Sequence, residues 1–344
     1  MKATTLLTLL ATGTTTTAAA RLPQRATTRN TTPQPQHPPY RLLHTLPNAT
    51  PGGNARLLAL SAEESTQGGA ILTLPSNSNS TSTSTRTPLL TTITGTFRIP
   101  PARIPTTGPT ANNTASLYAA SFWVGVDSTT PATTTTTTTG GTSSDCGGSL
   151  RAGVDIFWDG TLDGAQRPFA WYQGPGQWTG TGFYGEEFAA GEGDLVRFSL
   201  GLEGGEGGDM DGGAGEGQVV VVVENFGGNV TCVNDPGATP KQRVRRVLPA
   251  AGGGGAGGKG LCRREAAWVV EDFALDGRPG IPVPLADFGS VTFGAGVKLE
   301  DGSERDLAGA EVRDVKLAEQ GGRLTSCEVV DGKKVKCARV VGDN

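Results

Sequence analysis

The sequence predicts an all-β protein whose strands form a sandwich or a barrel. Short runs rich in β-branched and aromatic residues follow one another at short intervals, separated by Gly, Pro or Thr. The 52 Gly and 22 Pro residues make up about a fifth of the 344-residue chain, which disfavours long helices. No segment shows an apolar stripe at helical spacing, and the longest apolar run, residues 219–223, has the length of a strand.

The strand pattern recurs along the whole body of the chain. The predicted strands are residues 69–74, 90–98, 121–127, 150–158, 169–173, 194–200, 218–224, 267–273, 287–293, 296–299, 324–330 and 334–341. Three low-complexity inserts interrupt them, at residues 131–142, 203–217 and 250–260. The first insert is dominated by Thr, the second by Gly with Asp and Glu, and the third by Gly. Such compositions predict exposed loops.

The first 60 residues have the composition of targeting and processing segments. Lys2, the apolar run at residues 6–10, and Ala18 and Ala20 in an A-x-A pattern predict a signal peptide over residues 1–20. A disordered start is the alternative. Residues 21–60 are Pro-rich and basic, and they predict a propeptide or linker that is absent from the secreted form. The predicted domain is then residues 61–344, and we expect it to be secreted and extracellular.

Charge is unevenly divided along the chain. Residues 1–62 hold six of the 29 basic side chains and no acidic one, so the remaining 23 stand against 33 acidic side chains, a net charge of −10. An acidic body argues against nucleic-acid binding and suits work at low pH. The basic segment either covers an acidic cleft or is a solvated tail. No apolar run reaches the roughly 18 residues of a membrane helix, so we expect no membrane association.

Histidine is the residue type that most restricts the chemistry. The two histidines, His37 and His44, lie in the segment predicted to be removed. Their removal leaves no base for Ser-His-Asp or Cys-His catalysis and no His ligand for zinc. Acid–base chemistry then falls to carboxylates, Lys or Tyr, and we expect no metal and no cofactor. Five cysteines and five N-x-S/T sequons fit an oxidising compartment and a glycoprotein.

Four segments of the body carry the motifs of one family. They are S-F-W-V-G-V-D at 121–127, L-R-A-G-V-D at 150–155, L-C-R-R-E-A-A-W-V-V-E-D-F at 261–273 and L-A-D-F-G-S-V-T-F at 285–293. In the same order they resemble A-W-V-G-I-D, L-Q-T-G-V-D, L-C-E-T-N-A-E-W-I-V-E-D-F and F-A-D-F-G-S-V-T-F of the fungal glutamic peptidases, the eqolisins. The resemblance implies a sandwich of two antiparallel sheets like that of the concanavalin A lectins. It also implies an acid endopeptidase, secreted as a preproprotein, that acts on proteins or peptides; we expect it to be a monomer.

The catalytic pair of that family is one Glu and one Gln. The Glu activates water and later protonates the leaving amine, and the Gln orients the water and stabilises the oxyanion. Carried over by motif, the Glu is Glu271, whereas the Gln position is occupied by Arg151. A guanidinium donates hydrogen bonds but accepts none, so it cannot orient water as an amide does. We expect Arg151 and Glu271 to face each other within salt-bridge distance, and the native chain to be a poor peptidase at acid pH.

Other residues of the implied substrate cleft either contact substrate or have a purely structural role. Gln67 stands where the family's N-W-A-G-A-V-L has Trp, which removes an aromatic residue from the substrate cleft. Trp171 and Tyr172, in A-W-Y, either line the cleft or pack within their strand. Asp127 and Asp155 either lie near the active face or bond the turns at their strand ends.

Two disulfide bridges are predicted. The resemblance implies a bridge between Cys146 and Cys262, which would tie the two catalytic strands together. Cys327 and Cys337 flank a D-G-K turn centred on Gly332, so a cross-strand bridge is feasible there. Cys232 is left over.

Three functions are compatible with these residues. The first is a secreted acid endopeptidase of glutamic type. The second is a catalytically impaired family member that binds protein or glycan through the same sheet face, which Arg151 and Gln67 favour. The third is a glycosidase on the lectin-like fold. It ranks last because the chain lacks the E-x-D-x-E strand that supplies paired carboxylates in such glucanases.

Overall fold

The computed structural model describes most of the body of the chain. The described residues are 42–43, 64–75, 88–106, 117–128, 148–158, 167–177, 180–183, 187–203, 217–230, 238–250, 260–275 and 282–341. The predicted signal peptide, nearly all of the predicted propeptide, the interiors of the three inserts, and Cys146 and Cys232 lie outside these residues. The domain boundaries therefore stay predictions. Within the described ranges, no helix is long and apolar enough to cross a membrane.

Strands make up nearly all of the regular structure in these ranges, with one short 3₁₀ helix at Ala318–Gln320. In chain order they are β1 Leu42–Leu43, β2 Gln67–Thr73, β3 Leu90–Arg98, β4 Tyr118–Val126, β5 Leu150–Trp158, β6 Phe169–Gln173, β7 Thr181–Gly182, β8 Leu195–Glu203, β9 Gln218–Gly227, β10 Gln242–Pro249, β11 Glu265–Glu271, β12 Ala274–Leu275, β13 Ser290–Leu299, β14 Glu304–Arg305, β15 Glu311–Arg313, β16 Lys316–Leu317, β17 Gly322–Arg323, β18 Thr325–Val330 and β19 Lys334–Arg339.

Two large antiparallel sheets form a sandwich. The first sheet has seven strands in the order β15-β2-β11-β4-β5-β6-β7. The second has eight strands in the order β10-β9-β8-β3-β13-β19-β18, with β14 paired to β13. This arrangement confirms the predicted two-sheet all-β fold. It is a sandwich rather than a barrel, because each sheet ends in edge strands instead of closing on itself.

The two faces of the first sheet are both buried near its centre. Side chains alternate between the faces, and those on the inner face, such as Phe122 and Trp268, join the main core between the sheets. There the ring of Phe122 lies 6.2 Å from that of Phe97 on β3. The outer face carries a second buried cluster, made of Ile71, Ala119, Trp123, Phe157, Trp171, Ala267, Val269, Phe273 and Val283. Burial on both faces explains why β4 and β11 read as nearly continuous apolar runs.

The predicted strand bounds agree with the structure where the pattern is strongest. β3, β5 and β6 begin and end at the predicted residues. Residues 290–293 of the predicted strand 287–293 and all of the predicted strand 296–299 lie in one strand, β13, in which Gly294 and Gly296 pair with Thr96 and Thr94. β10 is not among the predicted strands. It is an edge strand whose Arg side chains interrupt the apolar pattern, as is common at sheet edges.

The bridge between Cys327 and Cys337 is confirmed, across the hairpin of β18 and β19. Cys262 is also in a disulfide, and its partner lies outside the described residues. The backbone N–H of Gly148 donates to the carbonyl of Gly260 at 3.1 Å. The predicted Cys146–Cys262 bridge stays a prediction.

Candidate active site

The strand register brings four polar side chains into one row on the outer face of the first sheet. Glu271, at the end of β11, pairs with Gln67 on β2 and with Ser121 on β4. Ser121 in turn pairs with Asp155 on β5. All four belong to the alternation that carries the outer cluster. The row therefore crosses four adjacent strands and has Glu271 near its middle.

Glu271 is a buried carboxylate held by two neutral donors. Its side chain is 1% exposed. The indole Nε1 of Trp123 donates to Oε2 at 2.6 Å, and the amide Nε2 of Gln67 donates to Oε1 at 3.3 Å. Neither donor carries a charge, so the carboxylate is oriented without being neutralised by these contacts. A carboxylate fixed in this way can accept a proton from a bound water.

Arg151 lies on the same face, two residue steps along β5 from Gly153, which pairs with Trp123. Its Nη2 donates to the carbonyl oxygen of Ser128, and its Cζ lies 4.8 Å from the centroid of the Trp123 ring. The guanidinium is therefore held by a backbone acceptor and by a cation–π contact. Burial lowers the pKa of Arg151, and the negative charges of Glu271 and Glu265 offset part of that fall. The predicted salt bridge between Arg151 and Glu271 stays a prediction.

Ser128 covers the position between β11 and Arg151. Gly125 pairs with Ala267 on one side and with Arg151 on the other. A Cβ at Gly125 would lie 2.4 Å from Oγ of Ser128, so that space is already filled. Arg151 is accordingly 8% exposed, whereas Gln67 is half-buried.

Trp171 forms a buried pair with Asp155, the member of this row on β5. The indole Nε1 of Trp171 donates to Oδ1 of Asp155 at 2.8 Å, and neither residue is exposed. Trp171 packs in the outer cluster together with Trp123. Tyr172 alternates to the inner face, where it packs against the main core with its ring 5.2 Å from that of Phe183. The structure thus brings Trp171 and Asp155 to the face of Glu271 but not Tyr172.

Asp127 bonds the turn that leads into β11. Its carboxylate accepts from the backbone N–H groups of Arg263, Arg264 and Glu265, at 2.5, 3.0 and 3.1 Å. Asp127 itself has a positive φ of 50°, a conformation that Asp tolerates better than most residues. Burial raises its pKa, and the three N–H donors oppose that rise. Asp127 therefore fixes the start of the strand that carries Glu271.

Asp272 is a buried acid that the sequence analysis did not single out. It is 1% exposed, and its Oδ2 accepts from Nε2 of Gln320 at 2.7 Å. Oδ1 has no hydrogen-bond partner among the described residues. Burial raises the pKa of Asp272 well above its usual value, and Arg339 offsets only part of that rise. Asp272 is the Asp of the E-D-F motif that contains Glu271, so the motif could have identified it. The contact of Gln67 with Glu271 was also missed, because the motif showed only the loss of a Trp.

The chain matches one known protein family. The model of the Peptidase A4 family matches residues 76–209 and 219–339, well over half of the chain. The match contains Arg151 and Glu271, whereas Gln67 precedes it. No curated protein and no solved structure matches the chain. On this match and this fold, the chain is a member of the Peptidase A4 family.

Proposed function

We propose that this protein is a secreted acid endopeptidase of glutamic type, with Glu271 as its general base and acid. Family membership supports a peptidase with protein or peptide substrates. The observation that carries the finer assignment is the environment of Glu271. A buried carboxylate with a neutral donor on each oxygen is suited to take up a proton and to return it.

The reaction uses water and one carboxylate. Water attacks the peptide carbonyl carbon while Glu271 takes one of its protons, and a tetrahedral intermediate with an oxyanion forms. The C–N bond then breaks, and the proton passes from Glu271 to the leaving nitrogen. The oxyanion needs a hydrogen-bond donor close by, and this contact is commonly among the largest contributions to the rate.

Arg151 makes the native enzyme slow in this proposal. Its positive charge favours the ionised form of Glu271 and so opposes return of the proton to the leaving amine. Its contact with Ser128 and its stacking on Trp123 hold the guanidinium in place. Arg151 also has no acceptor atom with which to orient water.

The same contacts favour a second candidate function, an impaired peptidase that retains substrate binding on the outer face. Arg151 is fixed at the position where the family has its Gln, and Gln67 replaces an aromatic residue of the cleft. In that case peptides would bind at acid pH without being cleaved.

Peptide hydrolysis by the purified secreted chain at about pH 3, below the usual Glu pKa, tests the proposal. The assay contains pepstatin, to suppress contaminating aspartic peptidases. Cleavage by the native chain that is lost in Glu271→Gln supports glutamic-type catalysis. If the native chain and Arg151→Gln both bind peptide but neither cleaves it, the result supports the binding protein instead.

A further inference from the structure

We propose that Gln67 supplies the catalytic amide of this site, in place of the Gln that the family has at position 151. This inference rests on the proposed function, because it assigns a role in the reaction at Glu271. It concerns a residue outside the stretch that matches the family.

The register makes Gln67 the direct cross-strand neighbour of Glu271. The two residues are 204 positions apart in sequence and paired between β2 and β11. Paired residues on one face of an antiparallel ladder have Cβ atoms about 5 Å apart. Nε2 of Gln67 lies 3.3 Å from Oε1 of Glu271. Ser65 fixes the start of β2, since its Oγ accepts from the backbone N of Gln67 and donates to its carbonyl.

An amide has the set of atoms that this reaction needs. It carries two N–H donors and a carbonyl acceptor. One N–H of Gln67 holds Glu271, which leaves the second N–H and the carbonyl oxygen to orient the water and to stabilise the oxyanion. The Trp that the family has at this position could donate but not accept.

Gln67 is also better placed than Arg151 to reach a substrate. Gln67 is half-buried, whereas Arg151 is buried beneath Ser128 and against Trp123. Arg151 thus replaces the family's amide on β5, and the amide of Gln67 on β2 lies beside the carboxylate of Glu271 instead. In the step proposed here, Oε1 of Gln67 accepts a hydrogen bond from one O–H of the water while Glu271 takes the other proton, and Nε2 donates a hydrogen bond to the developing oxyanion.

The first test compares the native chain with Gln67→Leu. We expect kcat to fall about 10²-fold, as for loss of one oxyanion or general-base element, with KM changed by only a few-fold. A Gln242→Leu variant on β10 is the matched control. It removes an amide whose Oε1 accepts from the backbone N of Ala189, away from Glu271, and should leave kcat unchanged. A Gln67→Leu enzyme with native kcat overturns the inference.

A second test uses the pH profile, which a purely structural role would not alter. Gln67→Glu places a carboxyl group of the same shape beside Glu271. While protonated, it offers one acceptor but only one donor, one fewer than the amide, so the variant should keep part of the activity at about pH 3 and lose it as pH rises through about 4 to 5. A pH profile parallel to that of the native chain overturns the inference.

The Arg151→Gln background separates this inference from the proposed function. With an amide returned to β5, Gln67→Leu should cost much less than in the native background, because the two amides serve the same role. If the native chain shows no Glu271-dependent cleavage while Arg151→Gln does, glutamic-type catalysis stands and the role of Gln67 is wrong. If neither shows cleavage, both proposals are wrong.

Discussion

The indole N–H of Trp123 donates to Oε2 of Glu271 at 2.6 Å, and the same ring lies beneath the guanidinium of Arg151. Trp123 therefore contacts both residues that occupy the family's catalytic positions. Its outer-face position on β4 follows from the strand alternation. The motif around Trp123 is visible in the sequence, but this bridging contact is not.

Trp123→Phe should reduce catalysis and stability together. Phe keeps a ring beneath Arg151 but removes the donor to Glu271, and a hydrogen bond to a charged group is worth about 2 kcal/mol. We expect the free energy of unfolding to fall by about that amount and kcat to fall about tenfold. Denaturant unfolding and steady-state kinetics measure the two effects.

Trp268→Phe is the control for this prediction. Trp268 is equally buried on the inner face, and its Nε1 donates to the carbonyl of Thr94 at 2.8 Å. It should lose stability while kcat is kept. Equal losses of kcat in the two variants would show that the Trp123 effect is not specific to Glu271.

Asp272 should make the protein more stable in acid than at neutral pH. Burial raises its pKa well above the usual value, so the folded chain holds a proton that the unfolded chain releases. This contribution is fully present below the unfolded pKa and is lost as pH rises through the folded one. Asp272→Asn removes the titrating group, and we expect the fall in Tm between about pH 4 and 7 to shrink by about 3 °C or more.

Asp301→Asn serves as the control for the pH dependence. The Asp301 side chain is fully exposed, and bonds from Ser303 lower its pKa, so its linkage has the opposite sign. The variant should leave the Tm profile above pH 4 as in the native protein. An unchanged profile in Asp272→Asn would mean that Asp272 does not hold a proton in the folded chain.

Much of the fold could be predicted because short runs of β-branched and aromatic residues are separated by Gly, Pro or Thr along the chain. β3, β5 and β6 have their predicted bounds. The contact between Gln67 and Glu271 could not be predicted from such local patterns. The two residues are 204 positions apart in sequence, and only the register of β2 against β11 brings them together. The sheet face on which Tyr172 lies also depends on the strand register. For Arg151, the sequence predicted a position facing Glu271 but not the hydrogen bond to the carbonyl of Ser128.

Peptide mapping without reduction should show Cys146–Cys262 and Cys327–Cys337, with Cys232 as a thiol. The second bridge is present in the structure, with the two Cα atoms 4.1 Å apart. The first is supported by Cys262, which is in a disulfide. A peptide that links Cys232 to Cys262 would contradict the prediction.

Intact-mass analysis of the secreted protein should show that residues 21 to about 60 are absent. Within that range, Leu42–Leu43 pairs with Ala274–Leu275, which begins three residues beyond Glu271. Removal of β1 would leave the backbone N–H and C=O groups of β12 that now pair with it to bond water or other parts of the chain. A mature N-terminus at Arg21 would contradict the prediction.

Arg151→Gln should raise peptide hydrolysis at acid pH by at least about 10²-fold. The substitution restores an acceptor at the family's Gln position and removes the positive charge that opposes proton return from Glu271. It also removes the donor to Ser128 and the cation–π contact with Trp123, so the free energy of unfolding should fall by about 1–2 kcal/mol. Arg243→Gln on β10 is the control, since its exposed side chain only pairs with Glu224 at 3.5 Å; it should leave the rate unchanged and alter the free energy of unfolding by less than about 1 kcal/mol. Strong native cleavage that falls in Arg151→Gln would instead identify Arg151 as the oxyanion donor.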